Sequence, residues 1–177
     1  EYDYGDYSRL MKIKAVTTGG ASDLREYAYD AKGNVSSIKD DRTALGGEGH
    51  VLKVYGYDHF LRPASITVTD SERDGVAEEY TYAYDKNGQI VTETKLNDYP
   101  SSNGEKVDET WAYTFDALGR LTNTTVTDDT SGSVKTQRAY TYDKAGNRLS
   151  ETENGRTTTN TYNGLNQMLT SGTRGYT

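Results

Sequence analysis

A short turn motif recurs along this chain and constrains its fold more than any other feature. Each clear copy places an aromatic residue before an aspartate, a glycine three residues after the aspartate, and then an arginine or an amide, with an aliphatic residue one or two places later. The clearest copies begin at Tyr29, Tyr84, Phe115 and Tyr142, and looser copies begin at Tyr4, Tyr57 and Tyr162. The intervals between these anchors range from 20 to 31 residues. Such near-periodic spacing predicts one array of repeated units over residues 1–177, with loops of unequal length between them.

Aromatic residues alternate with small residues just before each turn, which is the period of a β-strand with one aromatic face. The aromatic residues that define this pattern are Tyr27, Tyr29, Tyr55, Tyr57, Tyr82, Tyr84, Tyr113, Phe115, Tyr140, Tyr142 and Tyr162. Burial of one such ring contributes roughly 3–4 kcal/mol before entropy is counted. Because only 33% of the chain is hydrophobic, we expect the core to be largely aromatic.

The turn residues themselves predict hairpins. Aspartate at the first position and glycine at the fourth are typical of a type I turn that ends in a left-handed residue. Aspartate bonds the amide two residues on, and glycine adopts positive φ without steric cost. We assign these two roles to Asp30, Asp58, Asp85, Asp116 and Asp143, and to Gly33, Gly88, Gly119 and Gly146.

Three copies depart from the pattern. The third has Leu61 in place of glycine, and because leucine resists positive φ, we expect its turn to differ. The seventh has Asn163 and Asn166, which tolerate the required conformation. The first begins Tyr4-Gly5-Asp6 and lacks both the aspartate and the glycine at their usual places.

The predicted fold is all-β: tandem β-hairpins that form a continuous twisted antiparallel sheet, coiling as it grows. The segments after the turns are rich in threonine and β-branched residues, which suit a sheet. No stretch of ten residues combines a helical apolar period with a cap, so helix should be minimal. An isolated hairpin is marginal in water, so each unit must pair with its neighbours. Unpaired strands at the two ends of the sheet predict self-association through those edges.

Composition excludes several functions. The chain has 20 Lys and Arg against 27 Asp and Glu, and its net charge of -7 disfavours binding to nucleic acid or to an anionic membrane. It contains no cysteine, so it has neither disulfides nor thiolate metal ligands. No apolar run approaches the length that spans a bilayer, so we expect no membrane insertion.

Candidate sites are better explained by structure. The repeated aspartates resemble a ladder of metal or catalytic carboxylates, but each stands where a turn favours aspartate. No nucleophile motif surrounds His50 or His59, so we predict no catalytic residue and no enzymatic activity. Residues 70–75 resemble half of a calcium loop, yet Thr81 replaces the bidentate glutamate, and a solvated hairpin tip is the preferred interpretation. We therefore predict no cofactor and no metal site. The tyrosine rows suit stacking on sugars, although core packing is favoured over this role.

The motif Tyr-Asp-x-x-Gly-Arg/Asn-Leu at this spacing resembles the YD-repeat or RHS-repeat family. Its members include bacterial RHS toxins, wall-associated repeat proteins, shell components of Tc toxin complexes, and teneurins. The resemblance implies a β-sheet strip that spirals into a hollow shell, and in toxin members this shell encloses a C-terminal toxic polypeptide. It also implies a secreted or cell-surface location and, as partners, the remainder of the same RHS polypeptide and its enclosed toxin.

We therefore expect a structural segment of such a shell. The alternative is an extracellular adhesion or carbohydrate-binding strip that uses exposed tyrosines. The chain stops inside what looks like the start of another turn, so we expect it to be a piece of a longer protein. The family's Asp-Pro-x-Gly cleavage motifs are absent, since the two prolines, Pro63 and Pro100, follow Arg62 and Tyr99.

Overall fold

The computed structural model describes residues 1–17, 20–43, 48–72, 76–98 and 106–176. Within these ranges the chain forms fifteen β-strands and one short 3-10 turn, Asp6–Ser8. The strands are β1 Tyr2–Tyr4, β2 Leu10–Thr17, β3 Gly20–Tyr29, β4 Val35–Asp41, β5 His50–Tyr57, β6 Pro63–Asp70, β7 Val76–Tyr84, β8 Ile90–Asn97, β9 Val107–Phe115, β10 Leu121–Asp128, β11 Val134–Tyr142, β12 Arg148–Glu153, β13 Arg156–Tyr162, β14 Met168–Ser171 and β15 Arg174–Gly175.

The strands follow one another in the sheet in the same order as in the sequence, each hydrogen-bonded to the strand before it. Every strand pair with a described register is antiparallel. Each aromatic anchor ends one strand, and the return strand begins two residues after the fourth turn position. The prediction of an all-β array of tandem antiparallel hairpins is confirmed.

Contacts divide the chain into two compact units. The first comprises Glu1–Tyr82 and Lys95–Val107, and the second comprises Ala83–Thr94 and Asp108–Thr177. The boundary falls inside strands rather than between hairpins, because consecutive hairpins share their hydrogen-bond ladders.

The two faces of the sheet differ in chemistry. On one face of the first unit, Tyr27 lies opposite Ile38 and Tyr55 lies opposite Ile66. In the second unit, Trp111 lies opposite Val126 on the equivalent face. The other face carries small and polar pairs, which include Ala28 with Ser37, Ala112 with Thr125, and Thr141 with Ser150. The period of two in the sequence therefore separates an aromatic face from a small, polar one.

Burial on the aromatic face is shallow. Among the described residues only Val68, Ala77 and Val126 are buried apolar side chains, and no large side chain is fully buried. The predicted aromatic core is corrected accordingly: the strand tyrosines are half-buried rather than buried. The physical reason is that each unit is one layer of strands, so a ring is covered by neighbours on its own face and not by a second layer.

The return strands contain a β-bulge at a recurring position that the sequence does not predict. In six hairpins the register shifts by one residue just after the turn, which leaves the second residue of the return strand without a partner opposite it. These residues are Met11, Ser36, Ala64, Thr122, Leu149 and Leu169. A bulge of this kind increases the local right-handed twist of a strand pair. Each of these six hairpins therefore has a bulge at the same point, and the bulge increases the twist of its strand pair.

All seven turns share a left-handed residue at the fourth position. The residues are Ser8, Gly33, Leu61, Gly88, Gly119, Gly146 and Asn166, with φ between 56° and 94°. The expectation that the Leu61 turn differs is therefore wrong. Leu61 has φ 64° and donates its amide to the Asp58 carbonyl at 3.0 Å, as glycine does in the other turns. The turn's hydrogen bonds, each contributing about 0.5–1.5 kcal/mol, outweigh the cost of about 1–2 kcal/mol for this conformation.

Leu61→Gly is expected to stabilise the protein. Relief of the left-handed strain exceeds the entropy that glycine adds to the unfolded chain, so the free energy of unfolding should rise by roughly 0.5–1 kcal/mol. Urea denaturation monitored by Trp111 fluorescence measures the change. The reverse substitution Gly119→Leu should lower stability by a similar amount. If Leu61→Gly is destabilising, packing of the leucine side chain holds the turn instead.

Candidate functional site: the interlocking turns

An aspartate at the first turn position organises five of the seven turns, those of Asp30, Asp58, Asp85, Asp116 and Asp143. In the second turn, Asp30 Oδ1 accepts hydrogen bonds from the amides of Lys32 and Asn34, both at 2.9 Å. Its Oδ2 accepts a third from Asn34 Nδ2 at 2.9 Å. The carboxylate therefore closes the backbone turn with one oxygen and orients the side chain at the fifth turn position with the other.

Arginine takes the same place as Asn34 in other turns. Asp116 accepts from the amides of Leu118 and Arg120 at 2.9 Å, and Arg120 Nε donates to Asp116 Oδ2 at 2.7 Å. Asp58 and Arg62 repeat this arrangement with the same Nε distance. An aspartate and an arginine four residues apart, at the first and fifth turn positions, thus form one planar, charge-assisted pair.

An uncharged turn reproduces the geometry. Asn163 Oδ1 accepts from the amides of Leu165 and Gln167 at 2.9 and 3.0 Å, and its Nδ2 donates to Gln167 Oε1 at 2.7 Å. The Asp85 and Asp143 turns also bond the amide at the fifth position, from Gln89 and Asn147. These turns therefore share an acceptor oxygen at the first position, and a charged oxygen makes its hydrogen bonds stronger.

Hydrogen bonding lowers the pKa of the Asp30, Asp116 and Asp143 carboxyl groups. At Asp116 the backbone amide of Arg120 lowers the pKa most, and the guanidinium of Arg120 adds to this against partial desolvation. The side-chain amides of Asn34 and Asn147 are the main causes of the lowered pKa of Asp30 and Asp143. Such carboxylates are ionised at neutral pH and already occupied as acceptors. In the described part of the chain no three His, Cys, Asp or Glu side chains are grouped as a metal site.

The side chain at the fifth position also reaches the next turn along the chain. Gln89 Nε2 donates to the Gly119 carbonyl at 2.9 Å. Arg120 Nη1 donates to the Asp143 carbonyl at 2.9 Å, and its guanidinium lies 4.7 Å from the centre of the Tyr142 ring. This set of contacts, in which a fifth-position side chain holds the following turn, is called the turn ladder below.

The anchor tyrosines complete the turn ladder in the opposite direction. Four of them donate the hydroxyl to the carbonyl of the first residue of the preceding return strand. The bonds run from Tyr29 to Leu10, from Tyr57 to Val35, from Tyr142 to Leu121 and from Tyr162 to Arg148, at 2.8–3.0 Å. Phe115 occupies the same place and has no hydroxyl. The Asp116 and Asp143 turns are therefore joined twice, by Arg120 reaching forward and Tyr142 reaching back.

The inner tyrosine row consists of the tyrosines two residues before five of the anchors, and its rings are only partly covered. Tyr27, Tyr55, Tyr82, Tyr113 and Tyr140 are all half-buried. Trp111 stacks beside Tyr113 with ring centres 6.5 Å apart, and the Tyr113 hydroxyl donates to Glu93 Oε2 at 3.1 Å. Burial raises the pKa of Tyr140, and the nearby Glu151 carboxylate adds to this shift. These rings therefore form neither a fully buried core nor a freely exposed platform for stacking on sugars.

The other sequence candidates have structural roles where they are described. Asp70, the first residue of the calcium-like segment, is buried and accepts a hydrogen bond from Arg42 Nη2 at 2.9 Å. Residues 73–75 of that segment lie outside the described residues. His59 contacts Phe60 with ring centres 3.7 Å apart. No helix in the described part of the chain is long and apolar enough to cross a bilayer.

Sequence comparison finds relatives that are much longer than this chain. Over 121 residues it is 31% identical to the tRNA nuclease WapA of Bacillus subtilis, which covers 66% of this chain and 5% of the relative. The tRNA3(Ser)-specific nuclease WapA of Bacillus spizizenii matches with the same identity and coverage. The chain thus spans about a twentieth of these curated relatives. No protein-family model matches the chain.

Structural comparison finds toxin complexes at low similarity. A chain in the TcdB2-TccC3-Cdc42 crystal structure matches with a TM-score of 0.41 and 14% identity, covering 96% of this chain and 12% of that one. The Photorhabdus luminescens Tc holotoxin pore matches with a TM-score of 0.40 and 15% identity, covering 96% of this chain and 11% of that one. At these TM-scores the likeness does not by itself establish a common fold.

Stability should fall in acid because Asp30, Asp116 and Asp143 have lowered pKa values. A carboxyl whose folded pKa lies below its unfolded value of about 4 stabilises the fold above that pH, and the contribution is lost as the pH falls through the folded pKa. The triple variant Asp30→Asn, Asp116→Asn, Asp143→Asn should therefore lose less stability between pH 7 and pH 3 than the parent chain. Urea midpoints at the two pH values measure the difference. An equal loss in both proteins would place the acid sensitivity elsewhere.

Tyr142→Phe should lower the free energy of unfolding by about 1 kcal/mol, because it removes one hydroxyl bond between consecutive hairpins. The matched control is Tyr140→Phe. The Tyr140 hydroxyl has no hydrogen-bond partner among the described residues, so its removal should cost less than about 0.5 kcal/mol. Urea denaturation of both variants tests the comparison. Equal costs would contradict a specific role for the tyrosine bonds of the turn ladder.

Proposed function

We propose that this chain is a structural segment of an RHS-type repeat shell, which encapsulates or scaffolds a C-terminal toxin polypeptide in a secreted or cell-surface bacterial protein. The observation that supports this most strongly is the turn ladder, in which fifth-position side chains and anchor tyrosines join hairpins to their neighbours. The repeat motif resembles that of RHS and YD-repeat proteins, and the sequence similarity to WapA fits the same class.

The physical basis of the proposal is how such a sheet gains rigidity. A single layer of strands has little buried volume, so hydrophobic burial alone gives modest stability. Hydrogen-bonded turns at one end of every hairpin stiffen the layer without a second layer behind it. A wall that surrounds another polypeptide benefits from being a single stiff layer, because its inner face stays available and its thickness stays small.

We assign no catalytic role to the segment. The turn carboxylates, which are its most regular acidic groups, are engaged by backbone amides and by fifth-position side chains. The nuclease activity in the name of WapA belongs to proteins of which this chain matches about 5%. Purified chain incubated with bulk tRNA should leave the tRNA intact.

The proposed partners are the remainder of the same polypeptide and its enclosed toxin, together with further copies of the chain through open sheet edges. Strand β1 supports association with further copies of the chain, because Tyr2 and Tyr4 on it are 62% and 64% exposed. Unpaired strand edges that carry apolar side chains favour edge-to-edge association.

A second candidate function is carbohydrate binding by the inner tyrosine row. The half-exposed pair of Trp111 and Tyr113 favours it, since flat rings stack on sugar faces. Saturable quenching of Trp111 fluorescence by soluble oligosaccharides, lost in Tyr113→Ala, would support this role over a purely structural one.

Deletion of residues 116–142 tests the array directly. It removes one repeat and joins Phe115 to Asp143, so that the aromatic-aspartate turn is preserved. Because hairpins in an array contact only their neighbours, the variant should fold cooperatively with a urea m-value lowered roughly in proportion to its length. Deletion of residues 122–135 removes half a repeat and should prevent folding of the second unit. Collapse of the whole-repeat variant would contradict a wall built from interchangeable units.

Encapsulation is tested in the full-length protein that contains this segment. Limited proteolysis should leave its C-terminal polypeptide protected, and deletion of residues 116–142 should expose that polypeptide to cleavage by shortening the wall. Equal protection in both proteins would show that this segment does not enclose the polypeptide.

A further inference from the structure

Four anchor tyrosines use their hydroxyl at a place where the strand ladder has ended. Each donates to the first carbonyl of the preceding return strand, and the donors are Tyr29, Tyr57, Tyr142 and Tyr162. The ladder between that return strand and the next strand begins two residues further on, at the pairs Lys12 with Glu26, Ser37 with Val54, Asn123 with Ala139, and Ser150 with Thr159. The hydroxyl therefore serves a carbonyl that lies beyond the end of that ladder.

Phe115 is an anchor without this hydroxyl. The return strand that precedes it, β8, begins at Ile90. The two turns concerned have the regular backbone, because the amides of Gly88 and Gly119 donate to the carbonyls at the first turn position at 3.1 and 2.9 Å. The Ile90 carbonyl therefore corresponds to the four carbonyls that accept a tyrosine hydroxyl, and its own anchor supplies no donor.

An open recess lies at this place. Its volume is about 460 Å³, which is within the range of small-molecule sites. All of its walls belong to the second unit, and they include Gln89, Ile90, Glu93, Tyr113, Phe115 and Leu121. The apolar walls Ile90, Phe115 and Leu121 are only half-buried, so a ligand can reach them from solvent.

The fifth-position side chain also differs between this anchor and the next. In the next copy the Arg120 guanidinium lies 4.7 Å from the centre of the Tyr142 ring. The corresponding residue here is Gln89, which is shorter and uncharged, and its Nε2 donates to the Gly119 carbonyl at 2.9 Å. The recess at Phe115 therefore has neither the hydroxyl nor the guanidinium that the next copy has beside its anchor.

We propose that this recess binds a phenolic ligand. The ring of the ligand packs against Phe115, Ile90 and Leu121, in the offset or edge-to-face contacts that aromatic rings prefer. Its hydroxyl donates to the Ile90 carbonyl and takes the place of the missing anchor hydroxyl. The Glu93 carboxylate, which accepts from the Tyr113 hydroxyl at 3.1 Å, also lines the recess and disfavours anionic ligands such as aryl carboxylates. A small phenolic compound and a tyrosine side chain of another polypeptide share this chemistry.

Nitrogen-15 NMR of the whole chain tests the site through its backbone amides. Titration with p-cresol should shift the amides of Ile90 and Leu121 saturably, whereas Gly33 in the first unit should not respond. Toluene lacks the hydroxyl and should bind about threefold to tenfold more weakly, since one net hydrogen bond is lost. Glucose has hydroxyls but no aromatic ring and should cause no such shift. Equal affinity for toluene, or an equal response to glucose, would overturn the proposal.

Variants that copy the neighbouring repeats supply the matched comparison. Phe115→Tyr provides the chain's own hydroxyl, as in four other hairpins, and should weaken p-cresol binding at least about tenfold. Gln89→Arg places an arginine beside the anchor ring, as in the Asp116 turn, and is a second route to the same loss. Tyr142→Phe is the control outside the recess and should keep the parental response at Ile90. Unchanged p-cresol affinity in Phe115→Tyr and Gln89→Arg would overturn the assignment of the site.

Two blocked amino acids distinguish the sources of the phenol. They are N-acetyl-tyrosinamide and N-acetyl-phenylalaninamide, which differ by one hydroxyl. Binding of the tyrosine compound at least as tightly as p-cresol supports a tyrosine side chain of another polypeptide as the ligand. Binding of p-cresol alone supports a small phenolic compound. Equal binding of the tyrosine and phenylalanine compounds would show that the recess does not recognise a hydroxyl and would overturn the proposal.

Discussion

The acceptor oxygen at the first turn position is the interaction on which the rest of this structure depends. It fixes the backbone of the turn through two amides, and it orients the fifth-position side chain through its second oxygen or its amide group. That side chain then holds the next turn, as Arg120 holds the turn that begins at Asp143. A local turn preference is thereby converted into a contact between hairpins. The anchor tyrosine adds a second contact, from its hydroxyl back to the preceding return strand. Hairpins that have both contacts are joined at their turn ends.

This arrangement explains how a chain with so few aliphatic residues folds at all. Its aromatic side chains cover one another along one face, but none of the large ones is fully buried. Stability must therefore come from many modest terms: strand ladders, turn hydrogen bonds, tyrosine hydroxyl bonds and stacked guanidinium groups. Such terms are local and repeat with the sequence, so the fold is extended by adding units rather than by enlarging a core. This is the property expected of a wall that encloses another polypeptide.

Hairpins, strand order and the aromatic face follow from the sequence, because the period of two and the turn chemistry act over a few residues. The conformation of Leu61 could not be predicted in this way. Its steric preference opposes the turn, and only the summed hydrogen bonds of Asp58 and Arg62 decide the outcome. The bulges after the turns, at residues such as Ser36 and Thr122, were also missed, since they carry no distinct residue type. The forward contacts of Arg120 and Gln89 had a signal, namely the regular arginine or amide after each glycine, but their target on the next turn required the structure.

Consecutive turns are mechanically coupled in this structure, and native-state hydrogen exchange of Arg120→Ala measures that coupling. The substitution removes the side chain that joins the Asp116 turn to the Asp143 turn. Exchange should become faster at the amides of Gly119 and residue 120, and also at Gly146 and Asn147 in the following turn, whereas Gly33 in the first unit should keep its parental rate. Acceleration confined to the turn of residue 120 itself would show that the hairpins are independent.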